Sequence, residues 1–178
     1  RDIVKYSLQP IPTQGELLMI LQQGVRATAE FQKAEGAVEL IRNPTGDGMA
    51  LVFFRDLAAS VRCALEVAAF LAKHPAVQLR MGVNIGPVSQ HADVNQQDNV
   101  VGEGINIAQR VMDCGDAGHI LLSGSAVEAL KRASTSIGEL QDFGLREVKH
   151  GVFVHIYNPS TNQVGNRALP SKLCSPPE

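Results

Sequence analysis

Residues 37–54 read AVELIRNPTGDGMALVFF. Two short apolar runs, "AVELIR" and "MALVFF", flank a tip that holds a proline, two glycines and one aspartate. Proline and Asp-Gly are turn chemistry, and the runs have strand composition, so the stretch predicts two antiparallel strands joined by a tight tip. Asp47 then has two readings. In a bare G-D-G an aspartate is first of all a turn former. The flanking glycines also remove side-chain bulk, which lets a ligand approach the carboxylate and the backbone closely.

Working outward, "TQGELLMILQQGVRATAEFQKA" opens with T-x-x-E at Thr13 and Glu16, and Leu17, Leu18, Leu21 and Val25 follow a helical period. This predicts one long helix. Ahead of it, "DIVKY" predicts a strand with Asp2 just before its apolar residues. After the hairpin, "DLAASVRCALEVAAFLAKH" sets Leu57, Val61, Leu65 and Ala68 on one helical stripe that ends at His74-Pro75. "VQLRMGVNIGPVSQ" reads as a strand bending at Gly86-Pro87, and the polar "HADVNQQDN" as a loop or hairpin arm. "GINIAQRVMDCG" is a helix with a glycine stop, "HILLS" a strand, "SAVEALKRA" a helix, and "GELQDFG" and "VFVHIYN" two late strands. From Pro159 the tail is rich in Pro, Ser and Asn and reads as an extension, draped over the domain or frayed. The class is mixed α/β (α+β), with one mixed sheet covered by helices.

At 178 residues and 44% apolar composition the chain can bury one sizeable core. A formal charge of -2 gives no basic stripe, which argues against nucleic acid as a partner. Charges interrupt every apolar stretch well short of the ~20 residues a bilayer span needs, and the first residues form no signal peptide. No membrane span is expected in this segment. Cys63, Cys114 and Cys174 are far apart and form no CxxC, which suits a reducing cytoplasmic location. The five histidines lack H-x-x-x-H spacing and "LLSGSAV" lacks the G-x-S-x-G elbow, so thiol, zinc and serine hydrolases drop out.

Two constellations remain. Asp2 and Asp47, at neighbouring strand ends, could hold Mg²⁺, which takes oxygen ligands and shares them with substrate phosphates. In "VGEGINIAQR", Asn106 and Arg110 share one helical face, and the preceding glycines leave open amides near the helix start. Arginine can stabilise phosphoryl charge with its fixed fork of donors, and asparagine can orient a hydroxyl. The same pair also suits the solvated face of an amphipathic helix. G-E-G-I-N-I does not complete the dinucleotide G-x-G-x-x-G.

"DIVKYS", "TGDGMALVFF", "LRMGVNIGPV", "VVGEGINIAQRVMDCGDAGHILLS" and "VKHGVFVHIY" occur in the order and at the approximate spacing of one family. From Asp2 to about Asn158 the chain resembles class III adenylate/guanylate cyclase catalytic domains. The resemblance implies a ferredoxin-like βαββαβ core with additional strands and helices, working as a homodimer with active sites at the interface. It implies a catalytic domain over residues 1–158, its first strand cut short at the N-terminus, and an irregular extension over 159–178. Asp2 and Asp47 would hold two Mg²⁺ or Mn²⁺ ions per site, with the Ile3 carbonyl as a further ligand. Asn106 matches the ribose-orienting asparagine, and Arg110 the transition-state arginine supplied by the opposite subunit. Lys149 matches a triphosphate-binding lysine, although His150 stands where the family often has glycine.

The implied reaction is that of an adenylate cyclase, with guanylate cyclase as the alternative: it turns ATP, or else GTP, into a 3′,5′-cyclic nucleotide and pyrophosphate by two-metal in-line displacement. At the base-reading positions adenylate cyclases typically carry Lys with Asp or a hydroxyl residue, and guanylate cyclases Glu with Cys. Asn43 and Asn99 stand there in this chain, with Asp98 adjacent, so ATP against GTP stays open. A catalytically silent cyclase-like regulatory module and a metal-dependent phosphohydrolase are the competing readings. The family also implies attachment to regulatory domains in a longer chain.

Overall fold

The computed structural model describes residues 2–56, 58–92, 98–135, 138–161 and 164–174, with residues 92, 98, 99 and 160 described in backbone only. Strand β1 (Asp2–Ile3) leads through a 3-10 turn at Tyr6–Leu8 into helix α1 (Ile11–Arg26). The helix starts earlier than T-x-x-E predicts: Pro10 stands at its N-cap and Pro12 in its first turn. Proline lacks a donor that the first turn has no use for, so the chain enters the helix there and Thr13 and Glu16 fall inside it. The single long helix also divides in two. Thr28 takes an extended backbone, accepts the Phe31 amide at 3.3 Å, and donates to the Val25 carbonyl at 2.8 Å. A hydroxyl offered to the backbone in this way ends one helix and caps the next, α2 (Ala29–Gly36).

The hairpin forms as its composition predicts. Strands β2 (Leu40–Pro44) and β3 (Met49–Phe53) pair antiparallel from Leu40 opposite Phe53 to Pro44 opposite Met49. The Thr45 amide closes the tip on the Gly48 carbonyl at 3.1 Å, and Gly46 takes the positive φ of 86° that glycine tolerates. A bridge between Asp2 and Gly48 then joins the hairpin to β1. Helix α3 (Ala59–Leu71) follows, burying Val61, Ala64, Val67 and Leu71, while Leu65 and Ala68 pack at the margin and Leu57 lies outside the described residues. Strand β4 (Leu79–Val83) returns antiparallel to β1. Read through β1 the order is β2-β3-β1-β4, the arrangement of a ferredoxin-like βαββαβ unit.

Added elements extend this unit. Strands β5 (Ser89–Ala92) and β6 (Asp98–Val101) form a hairpin arm. Helix α4 (Glu103–Asp113) crosses to β7 (Ile120–Ser123), which lies parallel to β4. Helix α5 (Gly124–Arg132) and the long strands β8 (Glu139–Val148) and β9 (Val152–Ser160) complete a sheet ordered β1-β4-β7-β9-β8.

Strand β7 is buried on both faces, as a helix-covered parallel strand must be. Ile120 and Leu122 pack in a core with Leu21, Phe31, Val61 and Leu130, whereas Leu121 joins Val111, Ile156 and Leu173 on the other side. Helix α4 sits directly on β4 at Gly82. A Cβ there would collide with the Ala108 carbonyl and come within 2.6 Å of the Met112 amide nitrogen.

The described part of the tail is fastened down. Ser171 gives its amide and hydroxyl to the Asp116 carboxylate, each at 2.7 Å, and Asn166 donates to the Ala117 carbonyl at 3.0 Å. His119, fully buried, accepts the Asp116 amide at Nδ1 and reaches the Ala168 carbonyl through Nε2 at 2.8 Å. Leu173 fills the core beside α4, and the Lys172 ammonium caps that helix at the Asp113 carbonyl, 2.5 Å away. Residues 164–174 are therefore a strap across the α4–β7 connection.

Candidate active site

The hairpin tip and β1 bring Asp2, Ile3 and Asp47 to one junction. Asp2 bridges to Gly48, and the Ile3 amide donates to the Asp47 carbonyl at 3.1 Å. The Asp2 side chain is 13% exposed and Asp47 is half-buried. The Asp47 carboxylate makes no hydrogen bond or ion pair among the described residues. Two carboxylates and a main-chain carbonyl are hard oxygen donors, the set that suits Mg²⁺ or Mn²⁺.

Asn106 and Arg110 project from one face of α4, Asn106 exposed and Arg110 half-buried, and neither side chain has a partner among the described residues. Three of the amides expected to be open at the start of α4 are engaged. The amide of Gly104 goes to the Pro87 carbonyl, and those of Ile105 and Asn106 to the Gly102 carbonyl, because the helix is seated tightly on the Gly86-Pro87 bend. Neither Asn106 nor Arg110 bonds to Asp2 or Asp47 of its own chain. A cleft of about 270 Å3 lies between β3 and α4, lined by Met49, Leu51, Phe53, Gly82, Ile105 and Met112 among others, and by neither pair.

At the base-reading positions, Asn43 on β2 donates its amide nitrogen to the Val100 carbonyl of β6 at 3.1 Å. That bond fixes which way the amide points, since a carbonyl can only accept. Asn99 is the residue before Val100 and pairs with His91 through its backbone; its side chain, like that of Asp98, lies outside the described residues. Arg42 is engaged elsewhere, with Glu35 at 2.6 Å and over the Phe31 ring.

Two residues were not singled out from sequence. Arg80, opposite Asp2 on β4, sets its Nη2 3.8 Å from the Asp2 carboxylate and 3.3 Å from that of Asp113 at the end of α4. Lys149, in the β8–β9 connection, completes the series, with Nζ 2.7 Å from Asp113 Oδ2. Charge thus alternates from Asp2 through Arg80 and Asp113 to Lys149. The available signal was an arginine inside the apolar "VQLRMGV", on the strand face that α4 covers.

A family model for the adenylate and guanylate cyclase catalytic domain matches residues 48–158. No curated protein is a significant sequence match. Among solved structures, the guanylate cyclase domain of RhGC from Catenaria anguillulae, in complex with GTP, is similar at TM-score 0.70 and 22% identity, over 93% of each chain. The adenylyl cyclase CyaB from P. aeruginosa gives TM-score 0.67 at 19% identity, covering 92% of this chain and 93% of that one. An adenylate cyclase from Trypanosoma brucei, in its monomeric state, gives TM-score 0.70 at 16% identity over 94% and 88%. At such identities the likeness is one of fold.

Proposed function

This chain belongs to the family of adenylate and guanylate cyclase catalytic domains, and from it we propose a purine nucleotide cyclase that converts ATP or GTP to a 3′,5′-cyclic nucleotide and pyrophosphate. One observation carries the reading. Asp47 shares a junction with Asp2, yet its carboxylate bonds to nothing in its own turn. An aspartate kept only for a turn hydrogen-bonds that turn's backbone. The GTP held by the Catenaria anguillulae domain supports a purine nucleoside triphosphate as substrate.

Asp2, Asp47 and the Ile3 carbonyl would hold the divalent cations. Such ions complete their coordination with substrate phosphates and water, so two carboxylates and a carbonyl suffice from the protein. When bound, they supply charge that favours ionisation of the ribose 3′-hydroxyl and neutralises the triphosphate. Asn106 orients the ribose through its side-chain amide. Arg110 directs its guanidinium fork at the phosphoryl oxygens as their charge grows, and Lys149 binds the polyphosphate. The 3′-hydroxyl gives its proton to water, and its oxygen bonds to the α-phosphorus as the bond from that phosphorus to the pyrophosphate oxygen breaks, pyrophosphate leaving with the electron pair.

We infer a homodimer in which α4 of a second copy completes each site, since Asn106 and Arg110 make no bond to Asp2 or Asp47 of their own chain. Residues 1–158 carry the catalytic residues, with 159–178 as an extension whose described residues 164–174 brace the end of α4. Cys63, Cys114 and Cys174 form no disulfide among the described residues, and among those residues no helix is long and apolar enough to cross a membrane. We assign the domain to the cytoplasm, attached to regulatory domains.

Incubation with ATP or GTP and Mn²⁺, followed by identification of products, tests the proposal. Cyclic nucleotide with equimolar pyrophosphate is expected. Free phosphate or linear nucleotide would point to a phosphohydrolase, and no turnover by folded dimer to a silent module.

A further inference from the structure

Asp113 is at odds with its place in the fold. It is the last residue of α4, where the helix dipole disfavours a negative charge, and its side chain is only 15% exposed. Its two oxygens divide between two cations: Oδ1 lies 3.3 Å from Arg80 and Oδ2 2.7 Å from Lys149. Arg80 is the more fixed of the two. It is 23% exposed, also lies 3.8 Å from Asp2, and its Nε is buried without a partner among the described residues. Lys149 is 68% exposed, next to His150 in a left-handed turn, φ 66°. An ion pair with one end in solvent is weak and readily exchanged. A polyphosphate carries several negative charges, and Lys149 offers it a mobile ammonium.

We propose that Asp113 is a placeholder anion: in the free protein it holds Lys149 beside the Asp2–Arg80 pair, and it yields Lys149 to the polyphosphate of the incoming substrate. The inference rests on the cyclase reading of Lys149. Asp113 is accordingly a positioning residue that sets apparent substrate affinity. Holding the lysine stations it near the site, while competition for the same ammonium weakens binding of the phosphate.

The test uses inorganic pyrophosphate with Mg²⁺, titrated calorimetrically, so it reads binding whether or not the protein cyclises nucleotide. Asp113→Asn should bind pyrophosphate about two- to fivefold more tightly than the unmodified protein, and Lys149→Met more weakly by a similar factor. The double variant should match Lys149→Met alone, because the gain exists only through Lys149. A purely structural tie between α4 and the β8–β9 connection predicts instead lower stability in both single variants and no tighter binding. Unchanged or weaker binding by folded Asp113→Asn overturns the proposal, as does an unmodified protein that binds no pyrophosphate. Should Asp113→Asn fail to fold, the Asp113 carboxyl carbon can be followed by NMR in the unmodified protein. Its resonance should move on saturation with pyrophosphate, and a fixed resonance overturns the proposal. Failure of the cyclase reading would appear separately, as absence of cyclic product from the unmodified protein.

Discussion

Aspartates that serve turns in this chain show it directly: Asp142 accepts the Gly144 amide at 2.7 Å, and Asp56 the Ala58 amide at 3.0 Å. Asp47 is followed by glycine and accepts neither kind of bond, because the tip is closed by backbone from Thr45 to Gly48. Among the described residues its carboxylate therefore has no folding duty. Asp47→Ala should leave thermal unfolding nearly unchanged while metal-dependent turnover falls by roughly a hundredfold or more. Undiminished turnover by the folded variant would remove Asp47 from the metal site. Asn43 bears on the base. Its bond to Val100 orients the amide in the free protein; if substrate displaces that single bond, the amide can turn and present donor and acceptor to either purine edge. We expect ATP to be preferred to GTP by about tenfold or less in kcat/KM, or about 1.4 kcal/mol, when the two compete in one assay. A thousandfold preference either way would mean that other side chains read the base. The placement of Asp2 and Asp47 at one junction, and of Asn106 and Arg110 on one face of α4, was legible in sequence because each sits in a short motif. Arg80 and Asp113 were not, since their pairing joins β4, α4 and the β8–β9 connection, distant in sequence and linked by no local pattern.

Local chemistry also decides which elements were legible. The hairpin was, because proline and Asp-Gly punctuate it, and α4 was, because its apolar spacing ends at a glycine. The split between α1 and α2 was hidden inside a continuous helical period, since Thr28 acts through a hydroxyl whose bonds to Val25 and Phe31 depend on the backbone it bends. The tail shows the same limit, for its anchors lie on the α4–β7 connection. Leu173 is its one buried large apolar side chain among the described residues. Leu173→Ala should lower unfolding free energy by about 2–4 kcal/mol, read from denaturant midpoints. Asp116 is the polar clasp. The Ser171 amide, then the Ser171 hydroxyl, hold its carboxyl below the ordinary value. Its folded pKa is lowered, so the clasp contributes stability above the unfolded value of about 3.9 and loses it as pH falls through the folded one. The Ser171 amide resonance should accordingly titrate with a midpoint below 3.9. A midpoint at or above it would show that the clasp does not form.

Across the whole molecule the two proposed half-sites stand on different elements: acids where β1 meets the hairpin, asparagine and arginine on α4. The connections within one chain run through Arg80 and Asp113, and none carries Arg110 to Asp47. In the proposed homodimer a single copy would hold two incomplete sites, and two copies related by a twofold axis would complete both. Mixing two inactive variants, Asp47→Ala and Arg110→Ala, tests this directly. In an equimolar mixture that exchanges freely, half the dimers are hybrids, and each hybrid has one site with neither lesion. Activity should return to ~25% of the unmodified protein. Silence from a mixture in which hybrid dimers are shown to form would contradict the shared cyclase site.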